Sequence, residues 1–244
     1  ETAATATKIV GKDICKVLRF EKNNLITTNF DRPNLYLEIS KKKSKIDNDI
    51  IPILEKHKNK YIIIYCLTIK QTSTIHELLK KYNFKSGIYH GKLSPDEKEL
   101  SYKNFYNGTV KIMIATIAFG MGINKSNVRV VIHYGSPKNI ESYYQEIGRA
   151  GRDGKKSYCY TFYGMQDFMM QQNFINNIGN PEYQQNQLEM LNEMKKYLMI
   201  KTCRRKILLK YFNSNYDNDC NNCENCCGSN EIPDVENVEQ NLYK

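Results

Sequence analysis

The feature that most constrains this chain is a series of short apolar runs separated by amphipathic stretches. Tyr61–Leu67, Lys111–Thr116, Val128–Tyr134 and Ser157–Tyr163 are rich in isoleucine, valine and tyrosine and read as buried strands. Runs that are apolar throughout suit strands covered on both faces, the usual condition of a parallel sheet. Between them the period is helical. Ile75, Leu78, Leu79 and Tyr82 recur at i, i+3, i+4 and i+7, and further helices are predicted over Ile46–His57 and Ile140–Gly148. Ser94-Pro95-Asp96-Glu97 supplies an N-cap, a proline at the first helical position and a capping-box glutamate for a helix reaching about Tyr106. Gly87–His90 reads as a short strand, and Ile26–Ile39, around Pro33, as an edge element. Strands alternating with helices predict an α/β fold with a parallel sheet flanked by helices.

After Gly164 methionine, glutamine and asparagine dominate, strand signals stop, and Gly179-Asn180-Pro181 separates two helical stretches. The expected organisation is a lead-in over 1–25, a sheet domain over 26–165, a small mostly α domain over 166–228 and a flexible tail over 229–244. The apolar runs fall far short of the ~20 residues of a membrane span and no signal peptide opens the sequence, so a soluble, intracellular protein without a membrane partner is expected. A net charge of +10 favours either a polyanionic partner or simply a solvated lysine-rich surface.

Eight cysteines are present. Cys66 and Cys159 sit in strand runs, whereas Cys203, Cys220, Cys223 and Cys226 follow the pattern C-x16-C-x2-C-x2-C. Short C-x2-C turns place pairs of thiolates for a tetrahedral zinc ion, and asparagine and aspartate around Cys220–Cys226 give no apolar shelter to free thiols. A closed set of four ligands assigns zinc to stability rather than catalysis; Cys227 is a spare thiol that can compete. His90 and His133 lie in or beside apolar strands and are read as core or rim residues outside the metal site.

The run Gln145-Glu-Ile-Gly-Arg-Ala-Gly-Arg-Asp-Gly154 places Arg149 and Arg152 three apart behind glycines, a spacing that on a helical turn puts two fixed cations on one face. It resembles motif VI of superfamily 2 helicases in its RecQ form. Ala115-Thr-Ile-Ala-Phe-Gly-Met-Gly-Ile-Asn-Lys125 resembles motif V, and Tyr65-Cys-Leu-Thr68 is similar to motif IV. Tyr89-His-Gly-Lys-Leu93 approximates a family signature, Asn29-Phe-Asp-Arg-Pro-Asn34 resembles the entry to the second lobe, and Ala4-Thr-Ala-Thr7 the end of motif III. The stretch from Cys203 resembles the RecQ zinc-binding domain. Lys92, where glycine is usual, and Ile147, where threonine or serine is usual, depart from the pattern.

The resemblance implies a RecA-like second lobe, preceded over 1–25 by the end of the first lobe, and followed by a helical platform with its zinc module. It implies that Arg152 is an arginine finger, that Arg149 and Gln145 couple two lobes, and that Gly122 and Asn124 lie near the nucleotide. Thr116 and Thr68 are expected on DNA phosphates, with Lys70 as a candidate replacement for the family's arginine. Arg204 and Arg205 make a basic helix that either adds DNA contacts or is a solvated face. No G-x-x-x-x-G-K-[ST] loop and no Asp-Glu-x-His box occur in this sequence; in the family both belong to the first lobe, which holds most of the ATP and Mg²⁺ contacts. The implied activity is ATP-dependent 3′ to 5′ unwinding of DNA, with single strands and duplex junctions as partners, nuclear in a eukaryotic source. The isolated chain is expected to be inactive. The competing reading is a zinc-stabilised nucleic-acid-binding module without motor activity.

Overall fold

The structure, a computed structural model, describes residues 15–19, 30–120, 124–214 and 216–228. The motif III-like stretch, most of the lead-in, Gly122 and the tail lie outside these residues. Six strands are present among the described residues: β1 (Leu35–Lys41), β2 (Tyr61–Cys66), β3 (Ser86–Tyr89), β4 (Ile112–Ala115), β5 (Val128–Tyr134) and β6 (Ser157–Tyr163). They form one sheet in the order β1-β6-β5-β2-β4-β3, and every pairing is parallel. Ile62–Ile64 of β2, Met113–Ala115 of β4 and Val130–Ile132 of β5 are buried, each large side chain contributing about 1.5–3 kcal/mol of burial. β1 takes the edge position expected of its segment.

The helices are α1 (Asp47–Lys56), α2 (Ile69–Lys81), α3 (Pro95–Asn107), α4 (Ile140–Ile147), α5 (Met165–Asn176), α6 (Pro181–Met199), α7 (Arg204–Tyr211) and the single turn α8 (Glu224–Cys227). The predicted capping box is formed: Ser94 Oγ accepts from Glu97 N at 3.2 Å while the Glu97 carboxylate accepts from Ser94 N at 2.8 Å. Ile75 and Leu79 are buried as the helical period predicts, but Tyr82 is exposed, its hydroxyl donating to Asp47 at 3.2 Å.

The chain divides into two compact units, Asn34–Leu198 and a second comprising Glu1–Pro33 with Met199–Lys244. The expected boundary near residue 165 therefore falls inside the first unit. The reason is packing: Phe168 meets Tyr163, Tyr197 meets Tyr143, and Lys42 pairs with Asp167 at 2.6 Å. Helices α5 and α6 are thus held on the sheet unit.

One buried titratable group gives this unit a pH dependence. His57, next to the end of α1, is buried with Nε2 3.0 Å from the Tyr160 hydroxyl. Burial lowers its pKa from 6.5 to about 4, with Lys56 and Lys60 adding to the effect. The unfolded imidazole binds a proton near 6.5 and the folded one only near 4, so stability present at neutral pH is lost as pH falls through that window. With allowance for partial solvation the loss is of the order of 2 kcal/mol. Unfolding free energies measured between pH 7 and pH 4 should show this slope, and His57→Gln should flatten it; an unaltered slope would assign the effect to other groups.

Candidate functional site

Because the strands are parallel, their C-terminal ends share one edge. Tyr65 pairs with Ala115 across β2 and β4, which sets the following residues, up to Thr68 and Thr116, at neighbouring strand ends. Thr68 caps α2, its Oγ1 accepting from Gln71 N at 3.1 Å, and the first turn of that helix carries no acidic residue. Lys70, in the same turn, is exposed. Thr116 is half-buried; its N–H donates to Tyr89 O at 3.1 Å and its carbonyl accepts from Phe119 N at 3.0 Å. The loop that runs from β4 to β5 is thereby anchored at its start.

The arginine run follows α4. Asn139 caps that helix by accepting from Ser142 N at 2.8 Å, and the helix ends at Ile147, before both arginines. Arg149 and Arg152 are thus held by turns, not on the helical face predicted from their spacing. Gly151 is the reason: its φ is +55°, and its N–H donates to Val128 O at 2.9 Å. Asn34 Nδ2 donates to Gly151 O at 2.9 Å and to Lys155 O at 3.0 Å. A Cβ at Gly151 would stand 2.5 Å from Asn34 Nδ2 and 2.7 Å from Lys155 O. Gly151→Ala should therefore destabilise the protein by about 1–3 kcal/mol, read as a lowered denaturation midpoint; an unshifted midpoint would mean that the loop tolerates a side chain.

Both arginines approach the loop between β4 and β5. Arg149 is half-buried, and a Cβ at Gly120 would lie 3.3 Å from its Nη2, so glycine permits the close approach. The buried Tyr65 hydroxyl donates to Phe119 O at 2.9 Å, and the Arg149 charge lies near enough to act on it. Arg149 Nε is buried without a hydrogen-bond partner among the described residues. Arg152 is exposed, with Nη1 3.5 Å from Asn124 Oδ1. Gln145 is exposed on α4. The structure thus brings Arg149, Arg152, Gly120 and Asn124 together around one loop, with Thr68, Lys70 and Thr116 at strand ends of the same unit.

Three supporting pairs had no partners assigned from sequence, although His133 is the buried core residue it was read as. Arg129 pairs with Asp153, holding that carboxyl below its ordinary range. His133 Nε2 lies 2.8 Å from Glu146 Oε2, linking β5 to α4, and Asn34 ties the loop as described. Their partners are 13 to 121 residues away; the available signal was a charged or polar residue, Arg129 or His133, inside an apolar strand run.

In the second unit the Sγ atoms of Cys203, Cys220, Cys223 and Cys226 all lie within 4.8 Å of one another. Zinc–thiolate bonds of ~2.3 Å in a tetrahedron put sulfurs about 3.8 Å apart; Cys220 and Cys226 stand at 3.9 Å and Cys223 and Cys226 at 3.4 Å. Backbone N–H groups of Arg204, Lys206 and Asn222 each donate to a cysteine sulfur at 3.4 Å. The Cys223 thiol is held below its ordinary pKa, first by hydrogen bonding from Cys220 and then by the Arg204 amide, against the opposing effect of burial. The donor set and spacing fit a structural zinc ion, with Cys227 outside the convergent four.

The expectation that Arg204 and Arg205 face DNA is corrected here. Both are 4% exposed. Arg204 Nε donates to Glu224 at 2.7 Å, and Arg205 Nη1 donates to Asp31 Oδ1 at 2.7 Å and to Arg32 O at 2.6 Å. A guanidinium so paired and desolvated ties the segments of this module together, leaving Lys206 the more solvent-accessible cation of the three.

The sequence matches the model of the helicase conserved C-terminal domain over residues 42–154 and that of the RecQ zinc-binding domain over residues 165–227. The chain belongs to the RecQ helicase family. ATP-dependent DNA helicase RecQ of Bacillus subtilis is 39% identical over 232 residues, which cover 95% of this chain and 39% of that protein. The bifunctional 3′-5′ exonuclease/ATP-dependent helicase WRN of Mus musculus is 39% identical over 86% of this chain and 15% of its own length. A protein of Acanthamoeba polyphaga mimivirus, whose name gives a provisional ATP-dependent RNA helicase, is 57% identical over 96% of this chain and 43% of its own. The RecQ chain here thus spans less than half the length of each of these relatives. Among solved structures, Saccharomyces cerevisiae Dbp5 bound to RNA and ADP BeF3 superposes with a TM-score of 0.58 at 21% identity, covering 78% of this chain and 54% of that one. A DEAD-box protein from Methanococcus jannaschii superposes with a TM-score of 0.54 at 23% identity over 77% of this chain and 48% of its own. Both likenesses concern the fold. Among the described residues no helix is long and apolar enough to cross a membrane.

Proposed function

We propose that this RecQ chain is the second motor lobe and zinc-binding module of an ATP-dependent helicase that moves 3′ to 5′ on single-stranded DNA and opens duplex junctions. The observation carrying the reading is the exposed Arg152 guanidinium, presented by a loop that Gly151 and Asn34 pin to the sheet. Phosphoryl transfer spreads negative charge over the γ-oxygens of ATP, and a guanidinium supplied across a cleft stabilises it. Arg149, seated between Gly120 and Tyr65, and Gln145 on the exposed side of α4 couple this lobe to its partner. Gly122 and Asn124 approach the nucleotide, whose Mg²⁺ and phosphate loop belong to a first lobe absent from this sequence.

At the C-terminal strand edge, Thr68 uses its oxygen as a helix cap and has its O–H to donate to a phosphate. Lys70 and the uncompensated start of α2 add positive potential. With Thr116 these groups contact backbone rather than bases, which suits movement along any sequence. Zinc holds the second unit together and takes no part in the reaction. Nuclear placement in a eukaryotic source belongs to the same proposal.

The experiment is strand separation by the full-length protein with ATP, on partial duplexes of DNA and of RNA bearing 3′ or 5′ overhangs. ATP-dependent opening of DNA with a 3′ overhang is expected. Opening confined to RNA would overturn the substrate, and opening confined to 5′ overhangs the polarity.

A further inference from the structure

The edge of the sheet opposite Thr68 and Thr116 is basic in a regular way. Of five adjacent strands, β6, β2, β4 and β3 are preceded by Lys155 and Lys156, Lys58 and Lys60, Lys111, and Lys85 respectively, and β5 carries Arg129 as its second residue. The register makes this a line. Ser86 pairs with Ile112 and Ile112 with Ile62, while Tyr61 pairs with Val128 and Val130 with Tyr158. Lys85 and Lys111 therefore stand in one rank, immediately before the paired residues, with Lys60 and Lys156 one residue behind. Lys58, Lys60, Lys85 and Lys155 are exposed, and Lys111 and Lys156 half-buried.

Little at this edge offsets the charge. The carboxylates in these segments are Glu55 and Asp153, and Asp153 is already paired with Arg129. Helices α1, α2 and α3 end here, but each C-terminus is worth only about half a negative charge. Together they offset fewer than two of the six lysines. At about 4.8 Å per strand the five strands span about 19 Å, a length of duplex axis that carries five or six phosphates of each strand at ~3.4 Å of rise apiece. A row of cations this long on a rigid sheet can face several phosphates of a polyanion at once.

We infer that the N-terminal edge of the sheet is a second nucleic-acid surface, holding a sugar-phosphate backbone by charge alone and distinct from the strand-end contacts around Thr68 and Thr116. It holds its polyanion without nucleotide; Lys155 and Lys156 adjoin the arginine loop, whereas Lys58, Lys60, Lys85 and Lys111 belong to other segments.

The test is nucleotide-free binding of a labelled duplex and a labelled single strand by the full-length protein over a series of salt concentrations. The variant combines Lys58→Gln, Lys60→Gln, Lys85→Gln and Lys111→Gln. Each lost phosphate contact should lower the slope of log affinity against log salt by about 0.9 on duplex, so a slope shallower by about 2–3 is expected, with binding at least about tenfold weaker at low salt. Lys195→Gln with Lys196→Gln, on α6, should leave both quantities unchanged. If the fourfold variant fails to fold, the exposed pair Lys58→Gln with Lys60→Gln should give about half the slope change. An unchanged slope in a folded variant overturns the inference, as does an equal loss in the α6 control. Nucleic-acid-stimulated ATP hydrolysis at saturating ligand should survive, which separates failure here from failure of the motor reading.

Discussion

Arg152→Ala in the full-length protein is expected to lower nucleic-acid-stimulated ATP turnover by about 10³–10⁵-fold, the scale on which arginine fingers act. The loss should appear in kcat rather than in KM, because the guanidinium meets charge that develops in the transition state. Folding should be little affected: Arg152 is exposed, so truncation opens no core cavity, and the loop keeps its anchors at Gly151 and Asn34. Arg152→Lys should recover little, since an ammonium supplies charge without the planar fork. Steady-state hydrolysis with thermal melting of the same samples checks both halves, and wild-type kcat in a folded Arg152→Ala protein would remove the finger from this residue.

Cys223→Ser is expected to abolish stoichiometric zinc and unfold the module around it. Cys223 is fully buried, and its sulfur accepts from the Arg204 amide at 3.4 Å and meets Cys226 at 3.4 Å. Structural zinc sites are worth about 10–16 kcal/mol in apparent binding free energy, much of it folding free energy. Without the fourth thiolate, Arg204 and Arg205 would be left buried beside a collapsed ligand set, a further cost of several kcal/mol. Metal analysis should find one zinc per wild-type chain and none in the variant, with an early melting transition added while the sheet unit keeps its own. Cys227→Ser should change neither quantity. Full zinc content and unaltered melting in Cys223→Ser would show that another group completes the site.

The sheet was legible in the sequence because its strands are buried on both faces and so leave uninterrupted apolar runs; Val128–Tyr134 and Ser157–Tyr163 match β5 and β6 end to end. Local chemistry was legible too, as in the Ser94 capping box. What depends on distant partners was not. The change of composition near 165 marks where the strands stop and where the zinc-binding family model begins, but not that α5 and α6 stay packed on the sheet unit, which Tyr143 and Phe168 decide. Arg204 and Arg205 read as a basic helix face because Glu224 and Asp31, which bury them, are 20 and 174 residues away. The cysteine cluster needed no such information, since its spacing is itself the geometry. The strand order, and with it the rank of lysines at the N-terminal edge, became visible only once β2 was found between β5 and β4.

The measurement that bears most directly on the motor reading is nucleic-acid-stimulated ATP hydrolysis by residues 1–244 alone and by the full-length protein, the latter with and without Arg152→Ala. The expected result is no hydrolysis by the chain alone, robust hydrolysis by the full-length protein, and its loss on substitution with nucleic-acid binding retained. Full-length protein that binds nucleic acid and never hydrolyses ATP would contradict it, and would make this RecQ chain part of a zinc-stabilised binding protein instead.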